Sequence, residues 1–188
     1  MSRVWVVLML VFFSSSAISQ EVSFVSGSSL TESQVNEVLE FHNQTREEVG
    51  VKPMEWSEEL ATFAQEWSDR LAFSKGCRME ARPVKGKWEG KYGENLDWSS
   101  GYKTSEAPLL ASKVWADEKK DFKNKPIHQR NLAATGHYTQ MVWHNTSQMG
   151  MGMTSCENGD VIVLANIFRL EIIWEKRLID LKIGLFSF

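Results

Sequence analysis

Four histidines, two cysteines and 24 acidic residues are the groups in this 188-residue chain that could hold a metal, move a proton or form a covalent bond. Their spacing excludes a good deal. No Gly-x-Ser-x-Gly run is present, so acyl transfer by a serine on a strand-to-helix elbow has no anchor. Cys77 and Cys156 are too few for a zinc ribbon or a disulfide-dense scaffold. In an oxidising compartment two such thiols usually pair where geometry allows, and closing so long a loop would stabilise by roughly 4–5 kcal/mol in the chain-entropy model. Imidazole and carboxylate remain. Both are donors suited to Zn²⁺, but a catalytic zinc wants at least three protein ligands. Two glycosylation sequons occur, Asn43-Gln-Thr45 and Asn145-Thr-Ser147.

The rest of the chain must position these groups. With 43% hydrophobic and 24% charged residues it has ordinary globular composition, and one domain is natural at this length. Eight Trp and ten Phe supply a large apolar payload. A formal charge of −3 and a pI near 5.9 argue against a nucleic-acid partner. At the start, Arg3 is the sole charge before Glu21, Val4–Phe13 is unbroken apolar sequence, and Ala17-Ile-Ser19 follows a serine run. This pattern predicts a secretory signal over 1–19, cut after Ser19. A membrane anchor is the alternative, but ten apolar residues are too short to span comfortably. Residues 20–30 read as a flexible leader, and the product is expected to be secreted and extracellular, with no transmembrane segment after cleavage.

Thr31-Glu-Ser-Gln34 has the form of a capping box, and Val35, Val38, Leu39, His42 and Val49 share a helical face. A first helix is predicted over about 32–49, stopped by Gly50. Ser57 caps a second, with Leu60, Phe63, Ala64, Trp67 and Leu71 as its apolar stripe. Residues 72–90 are basic and irregular, a surface loop or an edge strand with a loop. A third helix is expected over about 107–122, with Pro108 in its first turn. Residues 124–135 read as irregular again, with a short helical turn after Gly136. Met149-Gly-Met-Gly-Met153 alternates like a strand whose glycines let another backbone approach. Asn158-Gly159 signals a hairpin, and Val161–Ala165 a buried strand. The class predicted is α+β, or a sheet covered on both faces.

Three segments in this order resemble the CAP superfamily, the group of cysteine-rich secretory proteins, venom antigens and plant pathogenesis-related proteins. They are His42-Asn43-x-x-Arg46 with Pro53-x-x-Trp56, then Tyr92-Gly-Glu-Asn-Leu96, then Gly136-His-Tyr-Thr-Gln-Met-Val-Trp143 with Gly150-x-Gly152 and Cys156. The resemblance covers residues 31–166 and implies a three-layer α-β-α sandwich. It also implies a cleft of two His and two Glu. Carried over by motif, these are Glu94, Glu118 in Trp115-Ala-Asp-Glu118, and His137. The second His would fall near Ala81, where none stands. The resemblance casts His42, Asn43 and Arg46 as a packing cluster, which makes Asn145 the better glycan acceptor. Family cysteines are missing in couples, near Tyr92 and Met151 and near Leu164 and Asn166, which implies that Cys77 pairs with Cys156.

Without the second imidazole, Glu94, Glu118 and His137 would make at best a weak zinc site, with Glu80 as a substitute ligand, and no cofactor is firmly implied. The reading preferred is a secreted, non-catalytic binding module for a lipid, sterol or protein ligand in defence or signalling. The alternative is a weak metal-dependent hydrolase using the same Glu/Glu/His cleft. After Val161–Asn166 the chain departs from the family. Residues 167–188 are an apolar, divergent tail that reads as a docking helix, a membrane-surface helix or a product of altered splicing.

Overall fold

The computed structural model describes residues 23–123 and 129–168, with the backbone alone for 129–133. The expected signal over 1–19 and residues 169–188 of the tail lie outside the described residues.

Helix α1 spans Glu32–Glu47. Its capping box is formed: Thr31 Oγ1 accepts from the Gln34 N–H at 3.2 Å, and Gln34 Oε1 accepts from the Thr31 N–H at 2.9 Å. The helix stops slightly earlier than expected, and the chain leaves through Gly50 at φ +71°. Strand β1, Glu55–Trp56, leads into α2, Glu58–Ser74, where Ser57 Oγ accepts from the Leu60 N–H at 3.3 Å. Strand β2 covers Gly93–Ser99 and α3 covers Ala107–Asp117. The single helix predicted over 107–122 is divided, because a 3-10 turn, Glu118–Asp121, takes over at Glu118. Helix α4 spans Gln129–Met141, so it begins well before the turn predicted after Gly136. A glycine weakens a helix by about 1 kcal/mol but does not forbid it, and here it lies inside one. Strands β3, Gln148–Ser155, and β4, Val161–Ile167, follow as a hairpin turned at Gly159, φ +86°.

The four strands lie in the order β1-β3-β4-β2, with β1 parallel to β3 and the other pairs antiparallel. Alternation along β4 divides the core in two. Val161, Val163, Ala165 and Ile167 face the layer of α1, α3 and α4, whereas Ile162 and Leu164 face α2. The architecture is the expected α+β sandwich of three layers, α-β-α. The thicker layer is rich in thioethers: Met54, Met141, Met149, Met151 and Met153 are buried together with Trp115 and Tyr138.

On the opposite face the glycines of β3 allow α2 to rest directly on the strand. A Cβ at Gly150 would run into the backbone nitrogen of Ala61, and one at Gly152 into that of Gln65. Helix α2 ends through two left-handed residues, Gly76 and Cys77, at φ +63° and +60°, with the Cys77 N–H donating to the Leu71 carbonyl at 2.9 Å. Cys77 is bonded to Cys156, Cα–Cα 5.9 Å, which ties the end of α2 to the β3–β4 hairpin.

Candidate functional site

The turn from α3 into the 3-10 segment places Glu118 against α4. Glu118 Oε1 lies 2.7 Å from His137 Nδ1, and Oε2 accepts from the backbone N–H groups of His137 at 2.9 Å and Tyr138 at 3.1 Å. Trp115, one turn earlier on α3, stacks on the His137 ring, with centroids 6.1 Å apart and planes inclined by 26°. Strand β2 supports the same place from below. Asn95 Nδ2 donates to the His137 carbonyl at 3.1 Å, while Asn95 Oδ1 accepts from Gln140 Nε2 at 3.0 Å. His137 is therefore fixed in tautomer and orientation, because a carboxylate on Nδ1 leaves Nε2 as the nitrogen that can meet a ligand.

Glu94 is held elsewhere. Along β2, Glu94 alternates with Asn95 and has the parity of Leu96, which packs on the α2 side. There Glu94 Oε1 accepts from the Arg82 N–H at 3.1 Å, and Oε2 faces Arg82 Nε at 3.6 Å, an ion pair too long for a hydrogen bond. The Arg82 guanidinium lies against two rings, 3.6 Å from the Phe63 centroid and 5.1 Å from that of Trp67. Burial pushes the Glu94 carboxyl above its usual range, opposed by Arg82. The structure thus divides the expected set. Glu118 and His137 are in contact, and Glu94 belongs to Arg82 on the far face of the sheet.

These residues do not fit a zinc ion. Both oxygens of Glu118 are committed to α4, Glu94 carries an internal cation, and Ala81 stands where a second imidazole would be. Glu80, the substitute ligand that the sequence offers, is exposed and pairs with Lys75 at 3.1 Å. Among the described residues no group of three or more His, Cys, Asp or Glu is gathered closely enough to hold a metal.

Sequence reasoning missed Asp97, which shares the Asn95 face of β2. Its Oδ2 is buried without a hydrogen-bond partner, burial pushes its carboxyl up, and the neighbouring His137 opposes that. A lone acid in a strand carries no motif, so only the register places it beside His137.

The first-helix trio forms a separate, structural cluster. Arg46 is fully buried and caps the end of α4: Nη1 donates to the carbonyls of Met141 at 2.8 Å and Trp143 at 3.0 Å, Nη2 to Thr146 at 2.8 Å, and Nε to Lys52 at 2.7 Å. Burial lowers its pKa to about 10. The Asn43 amide bonds both ways to the Met54 backbone, at 3.0 and 2.7 Å. His42 Nδ1–H donates to the Val38 carbonyl at 2.8 Å, and the ring meets Trp115 edge-on, 6.4 Å between centroids. Asn145 is exposed in the turn after α4.

A family model described as CAP, the cysteine-rich secretory protein family, matches residues 39–168. Pathogenesis-related protein 1C of Nicotiana tabacum is 34% identical over 146 residues, covering 76% of this chain and 79% of its own. Golgi-associated plant pathogenesis-related protein 1 of Homo sapiens is 34% identical over 134 residues, covering 71% and 80%. Among solved structures, NaASP2 with Zn²⁺ superposes with a TM-score of 0.61 at 24% identity, covering 72% of this chain and 79% of that one. The hookworm platelet inhibitor gives 0.61 at 18% identity, covering 86% and 80%. At these identities the solved structures speak for the fold alone.

Proposed function

The chain belongs to the cysteine-rich secretory protein family, and on that premise we propose that it is an exported binding module for a lipid or sterol, with no bond broken. The observation that supports this reading is the engagement of Glu118. A carboxylate that accepts from one imidazole and two backbone N–H groups is a clamp on α4, and releasing it to serve as a base or metal ligand would give up those three hydrogen bonds. A protein ligand is the variant of this reading, and a role in defence or signalling accompanies it. Export follows from the expected signal over 1–19 and suits the disulfide, and a glycan at Asn145 belongs to the same proposal. Among the described residues no helix is long and apolar enough to cross a membrane.

The test has two arms. Purified protein is expected to retain a labelled sterol or fatty acid saturably, and to give no zinc-binding heat in the micromolar range by calorimetry. Zinc binding that disappears in His137→Ala would revive the metal-dependent hydrolase. Failure to retain either lipid would remove the lipid ligand and leave the protein ligand.

A further inference from the structure

The segment Lys75–Lys91 carries six basic side chains against two acidic ones, a net of +4 in a chain whose formal charge is −3. Arg82 is buried on Glu94 and Lys75 pairs with Glu80, so the charges displayed are Arg78, Lys85, Lys87 and Lys91 against Glu89, all exposed, a net of +3. Large apolar side chains are exposed beside them: Phe73, Met79 and Val84, the last at 84%. Cations interleaved with uncovered hydrophobes do not suit a soluble polyanion, which would take the charge and leave the apolar groups in water.

The loop is also held in shape. Trp88 packs on Trp67 at 5.9 Å between centroids, and the Arg70 guanidinium lies 4.7 Å from the Trp88 ring. Trp67 Nε1–H donates to the Glu80 carbonyl at 2.9 Å, the Gly90 N–H donates to the Pro83 carbonyl at 2.9 Å, and the disulfide pins Cys77. A surface ordered in advance loses little conformational entropy on docking.

From this charge complementarity we propose that the 75–91 loop, with Phe73 at its base, is a docking surface for an anionic lipid bilayer. Lysines and Arg78 meet the headgroups, and Met79 and Val84 enter the interface. The proposal is independent of any ligand near His137. It is tested by co-sedimentation of the full chain with vesicles of phosphatidylcholine alone or mixed with phosphatidylserine. Binding is expected on the phosphatidylserine vesicles only, weakening with salt. Each neutralised lysine should cost roughly fivefold, so Lys85→Gln with Lys91→Gln should cost about 25-fold. Val84→Asp should weaken binding although its site is too exposed to disturb the core. Equal binding to both vesicle types, an unchanged double variant, or retention on heparin without vesicle binding would each overturn the proposal.

Discussion

The Arg46 guanidinium, fixed in α1, donates to the Thr146 carbonyl at 2.8 Å across a hundred residues of sequence. Among the described residues it meets no carboxylate; four backbone carbonyls share its charge. Arg46→Ala would strand those acceptors in the interior, at a cost of about 4 kcal/mol. Arg46→Lys should recover little of it, because an ammonium cannot span the guanidinium's fork. Urea unfolding followed by far-UV circular dichroism measures both; an alanine variant of unchanged midpoint would refute the capping role.

His42 sets a pH dependence. Burial, aided by Arg46, lowers its pKa from 6.5 to about 4. Between those values the unfolded chain binds a proton that the folded chain refuses. Its contribution is therefore complete above pH 6.5 and lost as pH falls towards 4, by roughly 3 kcal/mol. Thermal melts across that window should show a decline that His42→Gln flattens.

Gly152→Ala should cost roughly 3 kcal/mol, because its Cβ would collide with α2 backbone, which cannot swing aside as a side chain can. Gly101→Ala is the control, since nothing lies within 4 Å of a Cβ there. Comparable melting temperatures for the two variants would argue against direct seating of α2 on β3.

The Cys77–Cys156 bond closes a separation of 79 residues, for which chain entropy predicts about 4.5 kcal/mol. Unfolding with and without reductant should differ by an amount of that order. Free thiols in denatured, unreduced protein would show that the bond is not made.

Much of this fold is written in local chemistry. Thr31 with Gln34, Ser57 and Asn158-Gly159 each name a cap or a turn that depends only on neighbours in sequence, and Gly150 with Gly152 mark a strand that another backbone can approach. The two-residue β1 is too short for any periodicity, and β2 runs Gly-Glu-Asn-Leu-Asp-Trp-Ser, with polar groups on both faces, so alternation could not reveal it. The candidate site was legible by motif but not by contact. Motif gave Glu94, Glu118 and His137 equal standing, and strand parity, a long-range property, sends Glu94 to Arg82 and brings Asp97 to His137. A similar limit applies at α4, where the sequence predicts only a short turn after Gly136 and the helix runs through that glycine from Gln129.

The methionine layer has a chemical corollary. Folded, its five sulfurs are shut away from peroxide by burial. Each transient opening in an oxidising milieu exposes them, and one sulfoxide is too polar to be reinterred. Unfolding would then act as a ratchet, so the domain's lifetime in such a milieu would be set by how seldom it opens and not by its equilibrium stability alone.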